Sequence, residues 1–315
     1  MQLTTLLFCK KAIQSAILRT EKEFKISVPW GRLTGLSWGS SSLPPVLFCH
    51  GQIDTCSSFR PLVSLMPEEY FYVSIDLPGN GKSDRLPPGA RLSAMDLVPS
   101  IGKVKNHFGW DKFTFIGHSL GCHLGMYYIS AYPGIVTRSI HLDPRMPPTV
   151  FGIDIRTWYL NYYGKFYKNY ERLNAGVESA PRYRYEEIRE KMKTARSLTD
   201  EAVEHVLERC LVPAGDGLYR LSFDQRFRDI MMLPFTKEQY EQIWTSSKTP
   251  LLSITTSQSI SDGHFNFSPY IIDNTEWPNK NHRHLTVEEV HDVHLNKPAV
   301  VIDYVRDFLK GTRVD

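Results

Sequence analysis

The chain has 315 residues, 42% hydrophobic and 23% charged, with a formal net charge of +3. That length accommodates one large α/β domain with an insertion, or two small domains; the near-balanced charge offers no basic field for nucleic acid or an anionic membrane surface. Five cysteines, Cys9, Cys49, Cys56, Cys122 and Cys210, make an odd set without a CxxC pair, so neither a disulfide framework nor a zinc site is indicated and a reducing compartment fits.

Residues 1–23 read as a leader. No acid precedes Glu21, and the apolar stretch LTTLLF is too short for a secretory core and lies ahead of its charges, the reverse of a signal peptide. Two readings stand: a short flexible or helical leader on a cytoplasmic protein, or an acid-poor mitochondrial presequence. No run of 18 apolar residues exists, so no transmembrane segment is expected.

Four β-like runs follow: FKISVPW (24–30), RLTGLSWG (32–39), PVLFC (45–49) and YFYVSID (70–76). SSFRPLVSLM suits a short helix and LSAMDLVPSIGKVKNHF (92–108) a longer one. FTFIGHS then predicts a strand, LGCHLGMYYISAY a helix ended by Pro133 and Gly134, and IVTRSIHLD (135–143) another strand. This alternation implies parallel crossovers with helices on both faces of one sheet.

From Pro144 to Thr249 no strand-like period appears, only helical segments, with Thr199 as an N-cap before EAVEHVL. Strand patterns return at PLLSITT (250–256) and LTVEEV (285–290), before a terminal helix PAVVIDYVRDFL. The expected organisation is an α/β core of residues 24–143 and 250–315 with a helical cap, residues 144–249, inserted after the sixth strand.

The stretch FIGHSLGCHLG contains GxSxG, which alone is short enough to arise by chance. Its context is more specific. A nucleophile elbow needs a strand feeding a tight turn that presents its serine at a helix start, with glycines on both sides to relieve crowding. FTFI before Ser119 and CHLGMYYIS after it meet that need, and the Leu120 N–H then lies where an oxyanion would form. A second oxyanion donor is expected from the loop after an earlier strand; LFCHGQID nominates the Gln52 N–H. DLPGNGKSD is Gly-rich but lacks GxxxxGKS spacing, so it is not a phosphate-binding loop and no cofactor is indicated.

A serine hydroxyl needs a base, and in a sheet of this kind the order along the chain is serine, acid, histidine. His291, between LTVEEV and the terminal helix, is the candidate, with His294 packing beneath it; His264, His282 and His284 read as solvated, and His118 and His123 as packing beside the elbow. The acid is Asp262, in TTSQSISDGHF after PLLSITT, with Asp143 at the end of IVTRSIHLD as the alternative; Asp292 reads as solvated. Tyr159, Tyr163, Phe166 and Tyr170 share a helical face, suited to cap packing or to an apolar substrate pocket.

With VLFCHGQID, DLPGNGKSD, GHSLG and VHDVHLNKP in this order, the chain resembles the α/β-hydrolase family. SVPWGRLTGLSWG, LSFDQRFRD (221–229) and HDVHLNKP make it similar to the serine hydrolase-like subfamily within it, over about residues 24–310. The resemblance implies a mostly parallel eight-stranded sheet with a helical cap over the nucleophile. It implies Ser119 as nucleophile, His291 as base, Asp262 as acid, and Gln52 and Leu120 as oxyanion donors. One departure is Cys122, where the family commonly carries a second glycine. Epoxide hydrolases and haloalkane dehalogenases of this fold need an aspartate nucleophile, which Ser119 is not. The expected partner is a small or medium apolar carboxylic ester. The competing readings are a catalytically weak or inactive relative that binds a ligand, and a peptidase or C–C bond hydrolase.

Overall fold

The computed structural model describes residues 15–145, 154–275 and 277–311. Six strands come first: β1 Lys22–Val28, β2 Gly31–Trp38, β3 Pro45–Cys49, β4 Phe71–Asp76, β5 Phe113–His118 and β6 Val136–Leu142. A small hairpin, β7 Leu211–Pro213 with β8 Tyr219–Leu221, precedes β9 Leu251–Thr256 and β10 His282–Val287. The main sheet has eight strands in the order β1-β2-β4-β3-β5-β6-β9-β10. β1 and β2 pair antiparallel with each other, as do β2 and β4, and every other neighbour is parallel.

The expected eight-stranded, mostly parallel sheet is therefore present, and its strand compositions explain it. β3, β4, β5 and β9 are nearly continuous apolar or small-residue runs because helices cover both faces of a parallel sheet. Side chains alternate between two cores: Leu47 and Cys49 of β3 face one with Phe115, Leu124 and Trp244, while Val46 and Phe48 face the other with Phe59, Val305 and Phe308. The helices Pro99–His107, Leu120–Ala131 and Lys237–Thr245 pack on the first face, and Ile302–Lys310 on the second.

Several expectations change. The leader reading of residues 1–23 and the presequence reading rest mainly on residues 1–14, which lie outside the described residues; within residues 15–23, Ile17 and Glu21 anchor the chain to the core. Ile17 is buried, and Glu21 accepts hydrogen bonds from the Trp38 indole at 2.9 Å and from Arg60 at 2.8 Å. β10 begins three residues earlier than LTVEEV suggests, because His282 bonds Ser253 Oγ and His284 bonds Thr255 Oγ1 across from β9. His282 is thus buried rather than solvated, its imidazole held down at about 3 by burial and its ring stacked on Trp277. Among the described residues, no helix is long and apolar enough to cross a membrane.

The segment between β6 and β9 is mainly helical, with Tyr185–Arg196 and Asp200–Cys210 as its longest helices and Thr199 capping the second through Ala202 N. The hairpin β7–β8 is an addition the sequence pattern does not announce, since each strand is only three residues long. Ile188, Met192, Val203 and Leu207 give the insertion a core of its own, which Leu295 joins from after β10. Buried charge fastens it to the sheet: Arg209 donates to Asp76 at 2.6 Å and to Glu23 at 2.8 Å, and Arg226 donates to the carbonyls of Leu86, Pro87 and Ala90. Stripping one partner from a buried ion pair typically costs about 3–5 kcal/mol, so these contacts specify one docking geometry.

One contact decides whether β5 can turn into the next helix. A Cβ on Gly121 would sit 2.1 Å from the Cys49 carbonyl oxygen of the neighbouring β3. Gly121→Ala is expected to destabilise the fold by roughly 3 kcal/mol, read as a clear fall in Tm by calorimetry against Gly134→Ala, whose added methyl meets nothing within 4 Å but whose positive φ carries a smaller backbone cost of about 1 kcal/mol.

Candidate active site

The parallel register brings the carboxyl ends of the central strands into one row. Cys49 of β3 lies opposite Gly117 of β5, His118 opposite Leu142 of β6, and Leu142 opposite Ile254 of β9. The residues just beyond these pairs, namely Gly51, Ser119, Asp143 and Thr256, emerge together at that edge. Ligands bind at such edges because strand ends leave a crevice that loops can line.

Ser119 sits between β5 and the helix Leu120–Ala131 at φ 50° and ψ −118°. A non-glycine residue in that region is strained and persists only where its surroundings over-determine it. Here Ser119 N donates to Leu142 O at 3.1 Å and Cys122 N donates to Ser119 O at 3.0 Å. A Cβ on Gly117 would meet Cys122 N at 2.7 Å, so the turn closes only with glycine there. Cys122 is buried, with its thiol 3.7 Å from the Leu142 carbonyl, and burial raises that thiol well above its ordinary range. The side chain packs against β6, so the departure from glycine leaves the turn intact.

Leu120 is the first residue of its helix, where N–H groups have no acceptor within the helix. The loop after β3 runs close alongside: a Cβ on Gly51 would lie 3.0 Å from Ser119 Cβ. Gln52, next along, has its side-chain amide turned away to the Phe227 carbonyl at 2.5 Å.

His291 follows β10, and its Nδ1 lies 2.5 Å from Asp143 Oδ2. Asp143 is fully buried at the end of β6, also with positive φ, at 47°. Its carboxylate accepts from Thr256 N at 3.0 Å, Thr256 Oγ1 at 3.2 Å and Ser259 Oγ, with Arg145 Nε 3.3 Å away. Burial alone would raise this carboxyl, but the hydrogen bond and charge of His291, then Ser259 and Thr256, outweigh it and hold it below its ordinary value. The His291 N–H donates to Gln258 Oε1 at 3.2 Å, and His118 Nε2 lies 3.2 Å from the His291 carbonyl oxygen.

Asp262, the first acid suggested by the order of residues, is not at this imidazole. The chain after β9 enters a short helix, Ser257–Ser261, capped by the Thr256 hydroxyl, and that helix carries Asp262 out to an exposed position at its C-cap. Its other members, Gln258 and Ser259, are the ones that reach the site. Asp292 also differs from expectation: it is buried rather than solvated, and Arg196 holds it as a carboxylate far below its usual range despite burial. Sequence reasoning missed Arg196, Asp54, Thr256, Gln258 and Ser259. TTSQS, running out of the end of a predicted strand, was a usable signal for the last three; an arginine in a charge-rich helix gives none.

Ser119 and His291 line one cavity of about 560 Å³ together with Gly51, Gln52 and Gln258. The insertion supplies the facing wall, including Ile188, Met192, Leu221 and Phe223. Lys191 and Arg228 line it too, lying over the rings of Tyr183 and Phe223 at 5.4 and 5.0 Å. The aromatic face of Tyr159, Tyr163, Phe166 and Tyr170 is not part of this wall: Tyr159 stacks on Tyr163, and Phe166 is buried edge-on to Tyr170.

Among the described residues, one group has the donors for a metal: Asp54, His118, Asp292 and His294, whose ligand atoms lie within 4.8 Å of one another. The guanidinium of Arg196 already occupies both carboxylates, at 3.0 Å to Asp54 and 2.5 Å to Asp292. The positive charge such a group calls for is supplied by the protein itself.

Residues 44–248 match the family model described as alpha/beta hydrolase fold. Over 305 residues the chain is 29% identical to a serine hydrolase-like protein of Danio rerio, covering 94% of this chain and 91% of that protein. It is 27% identical to serine hydrolase-like protein 2 of Homo sapiens, over 93% and 95% of the two chains. A hypothetical protein from Pseudomonas aeruginosa PAO1 superimposes with a TM-score of 0.79 at 21% identity, covering 92% of this chain and 99% of that one.

The buried Asp143 carboxyl makes stability depend on pH with a definite sign. Its folded value lies below the unfolded one, near 3.9, so its contribution is complete at neutral pH and is lost as pH falls through that value toward the folded one. In urea titrations from pH 7 to pH 3, the stability gap between the wild type and Asp143→Asn is expected to narrow as pH falls.

Proposed function

The chain belongs to the α/β hydrolase fold family, and we propose that it is a serine hydrolase acting on a small or medium apolar carboxylic ester through Ser119, His291 and Asp143. The observation that carries this reading is the 2.5 Å bond from His291 Nδ1 to the buried Asp143, in a cavity that His291 shares with a serine held in a strained strand-to-helix turn. A carboxylate on Nδ1 leaves Nε2 as the nitrogen able to accept a proton and orients the ring.

In the proposed sequence, Ser119 Oγ attacks the ester carbonyl carbon while His291 Nε2 takes the hydroxyl proton. The carbonyl oxygen becomes an oxyanion beside the Leu120 and Gln52 backbone N–H groups. Collapse breaks the bond to the alkoxy oxygen, to which His291 returns the proton, and an acyl ester on Ser119 remains. Water, deprotonated by His291, then attacks that ester; the carboxylic acid leaves and Ser119 regains its proton. Asp143 stays a carboxylate throughout and stabilises the imidazolium. The apolar wall of Ile188, Met192, Leu221 and Phe223 supports an apolar acyl or alcohol group.

Active-site capture tests this reading. A fluorophosphonate is expected to label the wild type and to leave Ser119→Ala unlabelled. Asp143→Asn is expected to slow capture by roughly 10³–10⁴-fold, whereas Asp262→Asn stays within about twofold, its carboxylate being exposed and away from the imidazole. A wild type that hydrolyses no member of an ester panel and resists capture while folded would favour a ligand-binding role.

A further inference from the structure

Arg196 closes the Tyr185–Arg196 helix of the insertion, yet its side chain points down into the sheet edge. Its Nη1 donates to Asp54 Oδ1 at 3.0 Å, while Nε and Nη2 donate to the two oxygens of Asp292 at 3.1 and 2.5 Å. Both carboxylates are at most 2% exposed, and the guanidinium side chain is 18% exposed. The planar fork of arginine is what allows a two-toothed grip on one carboxylate with a third donor left for another.

The addresses of these carboxylates matter more than the bonds themselves. Asp54 lies two residues past Gln52, with Ile53 between them in the left-handed region at φ 54°. Asp292 is the residue immediately after His291, whose carbonyl oxygen is also held by His118. One cation from the insertion therefore ties the loop bearing an oxyanion donor to the loop bearing the base. Without it, two buried carboxylates would be left with no fixed counter-charge, only the buried imidazoles of His118 and His294 beside them, and the two loops would have an electrostatic reason to part.

We propose that Arg196 is a positioning residue, a three-armed tie that sets the distance between the Gln52 loop and the His291 loop and makes the site competent only when the insertion is docked. This inference rests on the serine hydrolase reading. The insertion itself has other anchors, Arg209 on Asp76, Glu208 on Arg60 and Arg226 on the carbonyls of residues 86, 87 and 90, so loss of Arg196 leaves it in place.

The test uses the full chain, with thermal unfolding as a check on folding and a small soluble ester as substrate. Arg196→Gln is expected to lower kcat by roughly tenfold to a hundredfold, the scale of a displacement of about 1 Å in a catalytic group, with KM changed less than about threefold. Arg196→Lys, a point charge that reaches one carboxylate at a time, is expected to recover part of the loss. Asp54→Asn, which cuts a single arm, should also lower kcat, and its effect should not add to that of Arg196→Gln. Hydrogen exchange should quicken in both residues 50–54 and residues 288–294 of Arg196→Gln. A folded Arg196→Gln that keeps kcat within about twofold, loses activity through KM alone, or shows additivity with Asp54→Asn would overturn the tie while Ser119 capture in the wild type still stands. Absence of that capture in the wild type would overturn both readings.

Discussion

A carboxylate with no exposure to water has to be answered by the protein on every side, and Asp143 is answered from three strands at once. Its own strand is β6; Thr256 and Ser259 reach it from the end of β9, and His291 from the end of β10. In a low-dielectric interior each of these bonds is worth more than in water, and each missing one would cost more. The mutual register of three parallel strands is thereby joined to the orientation of one imidazole. Arg145, from the same turn as Asp143, adds a fourth contact and also bonds Ser259 and Gln258, so the surroundings of the carboxylate are themselves braced.

The other half of the candidate site depends on closeness rather than charge. Ser119 lies in a backbone region that costs an isolated residue about 1–3 kcal/mol, and it stays there because β3, β5 and the following helix leave no alternative path. Gly117 and Gly121 are positions where those elements touch backbone to backbone, and Gly51 is where the loop after β3 meets the side chains of Ser119 and His118. Fold and site share these contacts: the interactions that let the helix begin one residue after β5 are those that hold the serine at the cavity. Cys122 is buried against β6 with its polar atom turned to a carbonyl.

The insertion contributes through buried arginines as much as through its apolar wall. Arg196 and Arg209 each meet a fully or nearly fully buried aspartate of the core, at Asp292 and Asp76. Apolar surfaces alone would let the insertion slide, because burial is not directional. Guanidinium forks against carboxylates permit one arrangement, and that arrangement puts Ile188, Met192 and Phe223 opposite Ser119.

The sheet, its strand order along the chain and the elbow were readable in the sequence, because local pattern carries them. Continuous apolar runs such as PVLFC and FTFI encode strands buried on both faces, and glycines around Ser119 encode a turn that only glycine can make. His291 was readable for the same reason, as the first histidine after a terminal strand pattern. What tertiary structure decided was which charges meet. Asp143 and Asp262 both follow strands and both suit the order of residues; only the turn of the chain after β9 into a Thr256-capped helix sends one of them to solvent and leaves the other at the imidazole. Asp292, Asp54 and Arg196 are separated by up to 238 residues in the chain, and no local pattern records such a meeting. Packing of the insertion onto the strand ends excludes water there, and once water is excluded each buried charge is obliged to find its partner.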